Sequence, residues 1–484
     1  MSLTRSDGFS PQRARKLAQM PQKQTQPNGV GGGCVASVCI FTLTMKSLSF
    51  SLLAAATLGL GLIGCSSNSS SKSEGLSEPD ASGLPPGLKP GVWRGVLSAQ
   101  GQEIPFLFDV NTVDNGQEPI VTLHNGTERL KLDEITTAGD STTIRLGAFD
   151  AALVVRADGA GKMKGAWVKY DTKEPYRVPF TATRGEEKLF AVSSAKPLSF
   201  EGTWNVTFKG DDGETYPAVG VFKQTGNDVT GTFLTTTGDY RYLAGQADGN
   251  MLKLSTFDGS HAFLFTARNG PKEPIDITKE YAPNTLFGDF YAGKSGHETW
   301  TAVPDPKAKL PDADALTYLK KGESRLSFKF PSIYEGASIS PTDPKYRGKV
   351  VVLQILGSWC PNCMDETNFL APWYEKNKAR GVEIIGLGYE RSPDYTKAAP
   401  KLRNMRERFK IGYDVAFAGV ANKDSVAKSL PQLAKFLAFP TTIFLDKKGN
   451  VRKIHTGFSG PGTGKYYEEE TAAFNKEIDK LLKE

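Results

Sequence analysis

"KVVVLQILGSWCPNCMDETNFL" (349–370) places a continuous apolar run directly before two cysteines separated by two residues. The run 349–356 predicts a strand at the centre of a sheet covered on both faces, because a half-exposed strand would alternate. The residues from Cys360 to about 379 predict a helix opening at the first cysteine. Unpaired N–H groups and the positive end of the helix dipole favour a thiolate there, which makes Cys360 the predicted nucleophile. Cys363 falls on the same helical face, close enough to attack a mixed disulfide formed at Cys360. Pro361 suits the first turn, where its missing N–H costs nothing. A zinc site needs four ligands, and neither a second cysteine pair nor a nearby histidine cluster supplies the other two. A purely structural bridge across so short a loop would constrain almost nothing. A working redox pair is therefore the predicted role of Cys360 and Cys363.

Downstream the pattern alternates: strand 382–388, helix 395–409 with a break near Pro400, strand 414–419, helix 424–437, a hairpin of 441–446 and 451–457, and a final helix 466–483. This β-α-β unit followed by α, hairpin and α describes an α/β thioredoxin-like domain, with boundaries at 324–484. The motif at 349–370, "GVEIIGLGYE" (381–390) and "FPTTIFLDKKGNV" (439–451) resemble, in order and spacing, the TlpA/ResA group of membrane-tethered thiol-disulfide oxidoreductases, within the thioredoxin-like superfamily and near the AhpC/TSA redoxins. The resemblance covers about 327–484. It implies a cis proline facing the cysteines, here Pro440, and a substrate-binding rim of Trp359, Pro361, Phe439, Pro440 and Thr441. It also implies a proton-relay or thiol-tuning role for Glu366. Gln354 stands where thioredoxin has a buried acid, and glutamine hydrogen-bonds without titrating.

Between 90 and 305, short alternating segments of β-branched and aromatic residues are separated by turn signals, which predicts antiparallel β structure. "GVWRGVL" (91–97) matches "GTWNVTF" (202–208), and "RLGAFDAALVVRADG" (145–159) matches "KLSTFDGSHAFLFTA" (253–267). "GAW" (165–167) pairs with "GDF" (288–290), and "PFTATR" (179–184) with "TWTAVP" (299–304). These repeats predict two tandem all-β modules, 90–192 and 197–305, with an insertion at 271–284. A connector (306–323) then leads into the α/β domain. Trp93, Trp167, Trp204 and Phe290 are expected in the cores. His124, His261 and His297 are scattered singly, so no metal site or other cofactor is expected.

Near the N-terminus, "MKSLSFSLLAAATLGLGLIGC" (45–65) has the layout of a secretory signal ending at a cysteine, and "LIGC" resembles a bacterial lipobox. Signal peptide 45–64, lipidation at Cys65 and a flexible tether over 65–89 are expected. Residues 1–44 are read as an upstream extension, with Met45 the expected initiator. Of the formal charge of +6, residues 1–64 carry six basic groups and one acid, so about +1 remains on the rest and no nucleic-acid partner is expected. The expected location is the cell envelope, on the periplasmic side, with the outer membrane slightly preferred over the inner because Ser66 follows the cysteine. The expected partners are client proteins with disulfides, a membrane-embedded electron donor, and the membrane itself through the lipid on Cys65. The leading functional expectation is a protein-disulfide reductase. The alternatives are a peroxiredoxin-type thiol peroxidase, whose proline and threonine before the cysteine are missing from "LGSWCPNC", and a ligand-binding β protein with an accessory redox domain.

Overall fold

The computed structural model describes residues 84–484 apart from 114–117, 148, 173 and 271–280. The expected extension, the signal segment, Cys65 and most of the tether lie outside the described residues, as does most of the insertion at 271–284. The chain is mostly β, with two barrel-like antiparallel sheets preceding a C-terminal α/β domain.

The first sheet has nine strands between 91 and 184, and the strand Gly91–Ala99 pairs with both Gln102–Val113 and Tyr176–Arg184. The second spans 202–304 and closes on itself, because Thr215–Thr225 pairs with both Gly202–Gly210 and Asp228–Thr235. Closure removes the edge that a flat sheet would expose. The matched segments occupy corresponding strands. In each first strand a buried tryptophan donates its indole N–H four residues back, Trp93 to the Lys89 carbonyl and Trp204 to that of Phe200, both at 2.9 Å. Trp93, Trp167, Trp204 and Phe290 are all buried in the sheet cores, as expected.

The α/β domain holds a five-stranded sheet. Its elements are β1 (Val350–Leu356), α1 (Pro361–Asn377), β2 (Val382–Glu390), α2 (Tyr395–Arg408), β3 (Asp414–Val420), α3 (Lys423–Ser429), β4 (Thr441–Leu445), β5 (Val451–Thr456) and α4 (Lys465–Lys483). The order is β3-β2-β1-β4-β5, with β1 parallel to β2 and antiparallel to β4. Every residue of β1 is buried, which is why its sequence is a run and not an alternation.

Two helix expectations are corrected. α3 ends at Ser429 and does not reach 437: Pro431 disfavours the helical conformation for Leu430, and Leu433–Lys435 instead forms a short strand against Tyr318–Leu319. α2 runs unbroken through Pro400. The proline leaves one carbonyl of the helix without its backbone donor, but Ala398, Ala399, Leu402 and Met405 anchor the same face in the core.

Candidate active site

The strand β1 delivers the chain to Cys360, which is the N-cap of α1 with extended backbone, and Pro361 occupies the first turn. The Cys363 N–H donates to Cys360 Sγ at 3.4 Å, so the sulfur takes the capping place usually held by a side-chain oxygen. Both thiols are free. Burial pushes the Cys363 thiol well up from its ordinary value, and the adjacent Cys360 adds to the shift. The two cysteines therefore differ as expected in their place on the helix. Neither sulfur lies open to solvent: Cys360 is only 6% exposed and Cys363 0%.

The cover comes from the β sheets. Asn362 Nδ2 donates to the Asp239 carbonyl at 3.1 Å, the Gly460 N–H donates to Asp239 Oδ2 at 2.7 Å, and Ser260 Oγ donates to the Trp359 carbonyl at 3.3 Å. At the centre lies Arg241, 9% exposed, with a left-handed φ of 57° that a non-glycine residue adopts only when its surroundings hold it there. Its Nη2 reaches Glu128 Oε1 of the first sheet at 2.5 Å and Asp365 Oδ1 of α1 at 2.9 Å, while Nη1 lies 3.8 Å from Asp258 Oδ2 of the second sheet. One guanidinium thus joins both sheets to the helix that carries the cysteines.

Of the rim residues, Trp359 is half-buried and donates its indole N–H to the Tyr389 carbonyl at 2.9 Å, with the Phe439 ring edge-on at 5.5 Å. The Phe439–Pro440 peptide is cis, and Cys360 Sγ lies 3.8 Å from the Phe439 carbonyl oxygen. Thr441 is a correction: it is 0% exposed, its hydroxyl donates to the Ala438 carbonyl at 2.7 Å, and its place in β4 turns the side chain into the domain and away from any ligand.

Glu366 is buried behind the pair. It accepts from Gln354 Nε2 at 2.8 Å and from the Thr442 hydroxyl, while Tyr413 donates to Gln354 Oε1 at 2.9 Å and so fixes which way the amide points. Burial raises its carboxyl to about 7. A void of about 20 Å³ between Glu366, Thr442, His455 and Glu470 has room for one water. His455, bridged to Glu470 at 2.8 Å and Asp314 at 2.7 Å, leads from there toward the surface.

Sequence reasoning missed Arg241, Asp258, Glu390 and His455. Glu390 closes the other side of the motif, accepting the Ser358 N–H and hydroxyl at 2.8 Å each. Asp365 and Glu366, within two turns of Cys360, add little uncompensated charge there, since Asp365 pairs with Arg241 and burial pushes Glu366 toward its neutral form.

The Redoxin family profile matches residues 320–472. The thiol-disulfide oxidoreductase ResA of Geobacillus thermodenitrificans is 31% identical over 175 residues, covering 36% of this chain and 78% of the relative. The chain belongs to the ResA thiol-disulfide oxidoreductase family. The ResA of Geobacillus kaustophilus matches over the same shares at 27% identity. A thioredoxin-family thiol:disulfide interchange protein from Chlorobium tepidum is similar at 18% identity over 34% of this chain and 98% of its own, with a TM-score of 0.26. The Redoxin match contains Cys360 and Cys363, while the covering contacts from Asp239, Arg241 and Ser260 come from outside it.

The buried carboxyls set a pH dependence of stability. Burial raises Asp365, Glu366 and Glu390 to about 7 and Asp239 to about 6. Between about pH 4 and pH 7 the native state therefore binds more protons than the unfolded chain, and stability falls as pH rises through that window. His455 acts in the same direction above it: burial alone would lower it, but Asp314 and Glu470 raise it to about 10. Asp258, held below its ordinary value, acts oppositely but finishes titrating below about pH 4. Thermal unfolding is expected several degrees higher at pH 5 than at pH 8; a midpoint that rises across this range contradicts the assignment.

Proposed function

We propose that the protein reduces disulfides of client proteins in the cell envelope by dithiol-disulfide exchange at Cys360 and Cys363. The observation that carries this reading is the asymmetry of the pair, with Cys360 capping the start of α1 and Cys363 fully buried beside it. The Cys360 thiolate attacks a client sulfur, forming a mixed disulfide and expelling one client thiolate. Cys363 then gives up its proton and attacks Cys360 Sγ, expelling the second client thiolate and closing the Cys360–Cys363 disulfide. Two electrons and two protons pass to the client. A membrane-embedded dithiol donor restores the reduced pair. Glu366, sharing a helical face with Cys363, receives the Cys363 proton. Trp359, Pro361, Phe439 and Pro440 form the rim on which the client rests. Lipid on Cys65 holds the protein at the membrane, the outer one by preference.

Charge supports the reducing direction. The dipeptide Pro361–Asn362 carries none, the carboxyls of Glu128, Asp258 and Asp365 surround a single guanidinium, and Asp239 accepts from the Arg241 backbone N–H beside it. An oxidising pair needs strong extra stabilisation of its thiolate, and this setting supplies little. A glutathione redox titration followed by Trp359 fluorescence is expected to give a potential nearer about −270 mV than about −120 mV. A value near the upper figure makes the protein a disulfide donor and overturns the proposal.

A further inference from the structure

The second sheet covers the cysteines and leaves a cleft between itself and the CxxC motif. The cover is tight at Gly238: a Cβ there would lie 2.1 Å from Asn362 Nδ2, and the backbone, at φ +132°, takes a conformation that favours glycine. A Cβ on Gly457 would in turn lie 3.3 Å from the Gly238 nitrogen. With the Asp239 and Arg241 contacts, this turn is fastened to the start of α1 and to the loop before α4. The same turn lines one end of a cleft of about 480 Å³ that reaches Cys360. One wall is Trp359, Pro361 and Phe439, and the other is Tyr240, His261 and Phe263. His261 stacks on Phe263 at 4.9 Å, and Tyr240 shares its hydroxyl with Tyr216 at 3.0 Å, so the far wall is aromatic with a polar end.

This geometry bears on what the redox pair can reach. A folded partner normally docks through about 800 Å² of surface on each side. That requires an open face around Cys360, and the second sheet occupies it. A cleft of this volume is instead of the order that encloses a small molecule or a few residues of extended chain, within the range of about 300–1,000 Å³. We infer that the cleft between the second sheet and the CxxC motif is a substrate site for slender disulfides, those whose reacting sulfur is carried on a single extended peptide segment or a small thiol. Disulfides on the surface of folded domains are excluded. This rests on the exchange activity proposed above and specifies its substrate class. The aromatic walls hold the segment, and the polar end of the far wall meets its backbone.

The test uses the full reduced chain, with dithiothreitol as donor, and one reacting group in three settings. Glutathione is attached as a mixed disulfide to a cysteine of an unstructured peptide, to a surface cysteine of a folded domain, and to itself as oxidised glutathione. After division by the rates with dithiothreitol alone, kcat/KM for the peptide is expected to exceed that for the folded domain by at least about tenfold. Faster reduction of the peptide than of oxidised glutathione marks the polypeptide as the source; comparable rates mean that a small disulfide suffices. His261→Trp, at a partly exposed position on the far wall, narrows the cleft and is expected to lower the peptide rate. Equal rates for peptide and folded domain, or a peptide rate untouched by His261→Trp, overturn the inference and leave the exchange chemistry standing. No turnover of any of the three overturns the functional reading itself.

Discussion

Arg241→Leu is expected to destabilise the protein by about 3–5 kcal/mol, because removing one partner of a buried ion pair leaves the others charged and uncompensated. Here three carboxylates, those of Glu128, Asp258 and Asp365, lose their common counter-ion at once. The same change loosens the cover over α1, so alkylation of Cys360 is expected to accelerate together with the loss of stability. Adding Asp365→Leu removes one orphaned charge and is expected to recover part of the loss, a coupling that a double-mutant cycle reads directly. Urea unfolding of the four chains and mass-resolved alkylation at pH 7 provide the measurement. A loss below about 1 kcal/mol, the scale of an exposed ion pair, with alkylation unchanged shows that Arg241 does not fasten the cover.

Glu366→Gln is expected to slow the step in which Cys363 resolves the mixed disulfide by about 10²-fold, the lower end of what a positioned general base contributes. The amide keeps the volume, its oxygen can still accept from Gln354, and its NH2 can donate to the Thr442 hydroxyl once that rotor turns, so the fold is largely preserved while the titrating group is lost. The pH profile separates this role from a structural one. With Glu366 near pKa 7, resolution in the parent chain rises through neutrality as the carboxylate forms, and in the variant that limb disappears. Single-turnover release of a peptide thiol between pH 5 and 9 measures it. An unaltered limb assigns the proton to another acceptor and leaves Glu366 a buried hydrogen-bonding group.

The α/β domain is legible in the sequence because its signals are local. A buried central strand writes itself as an apolar run, and a helix start announces itself by Cys360 and Pro361 immediately after that run. The paired strands of the two sheets are legible for the same reason, through repeated tryptophan and glycine positions. The cover over the cysteines is not. Arg241 is 113 residues from Glu128 and 124 from Asp365, and no periodicity links positions so far apart. A weak signal exists in "GDYRYL" (238–243), where a lone arginine stands among aromatics in a segment otherwise suited to burial. Thr441 misled because the resemblance marks the chain next to the proline without saying which face of β4 each side chain takes. The counter-ion of Asp365 is illegible for the same reason as the cover, since it arrives from another part of the chain.

In the proposed exchange Cys360 attacks and Cys363 resolves. Intact-mass and peptide-level mass spectrometry of Cys363→Ser, incubated with a peptide bearing a glutathione mixed disulfide, tests it most directly. The predicted result is a stable adduct on Cys360, released by dithiothreitol and absent from Cys360→Ser. An adduct that forms equally on Cys363 in Cys360→Ser, or no adduct on Cys360, would contradict it.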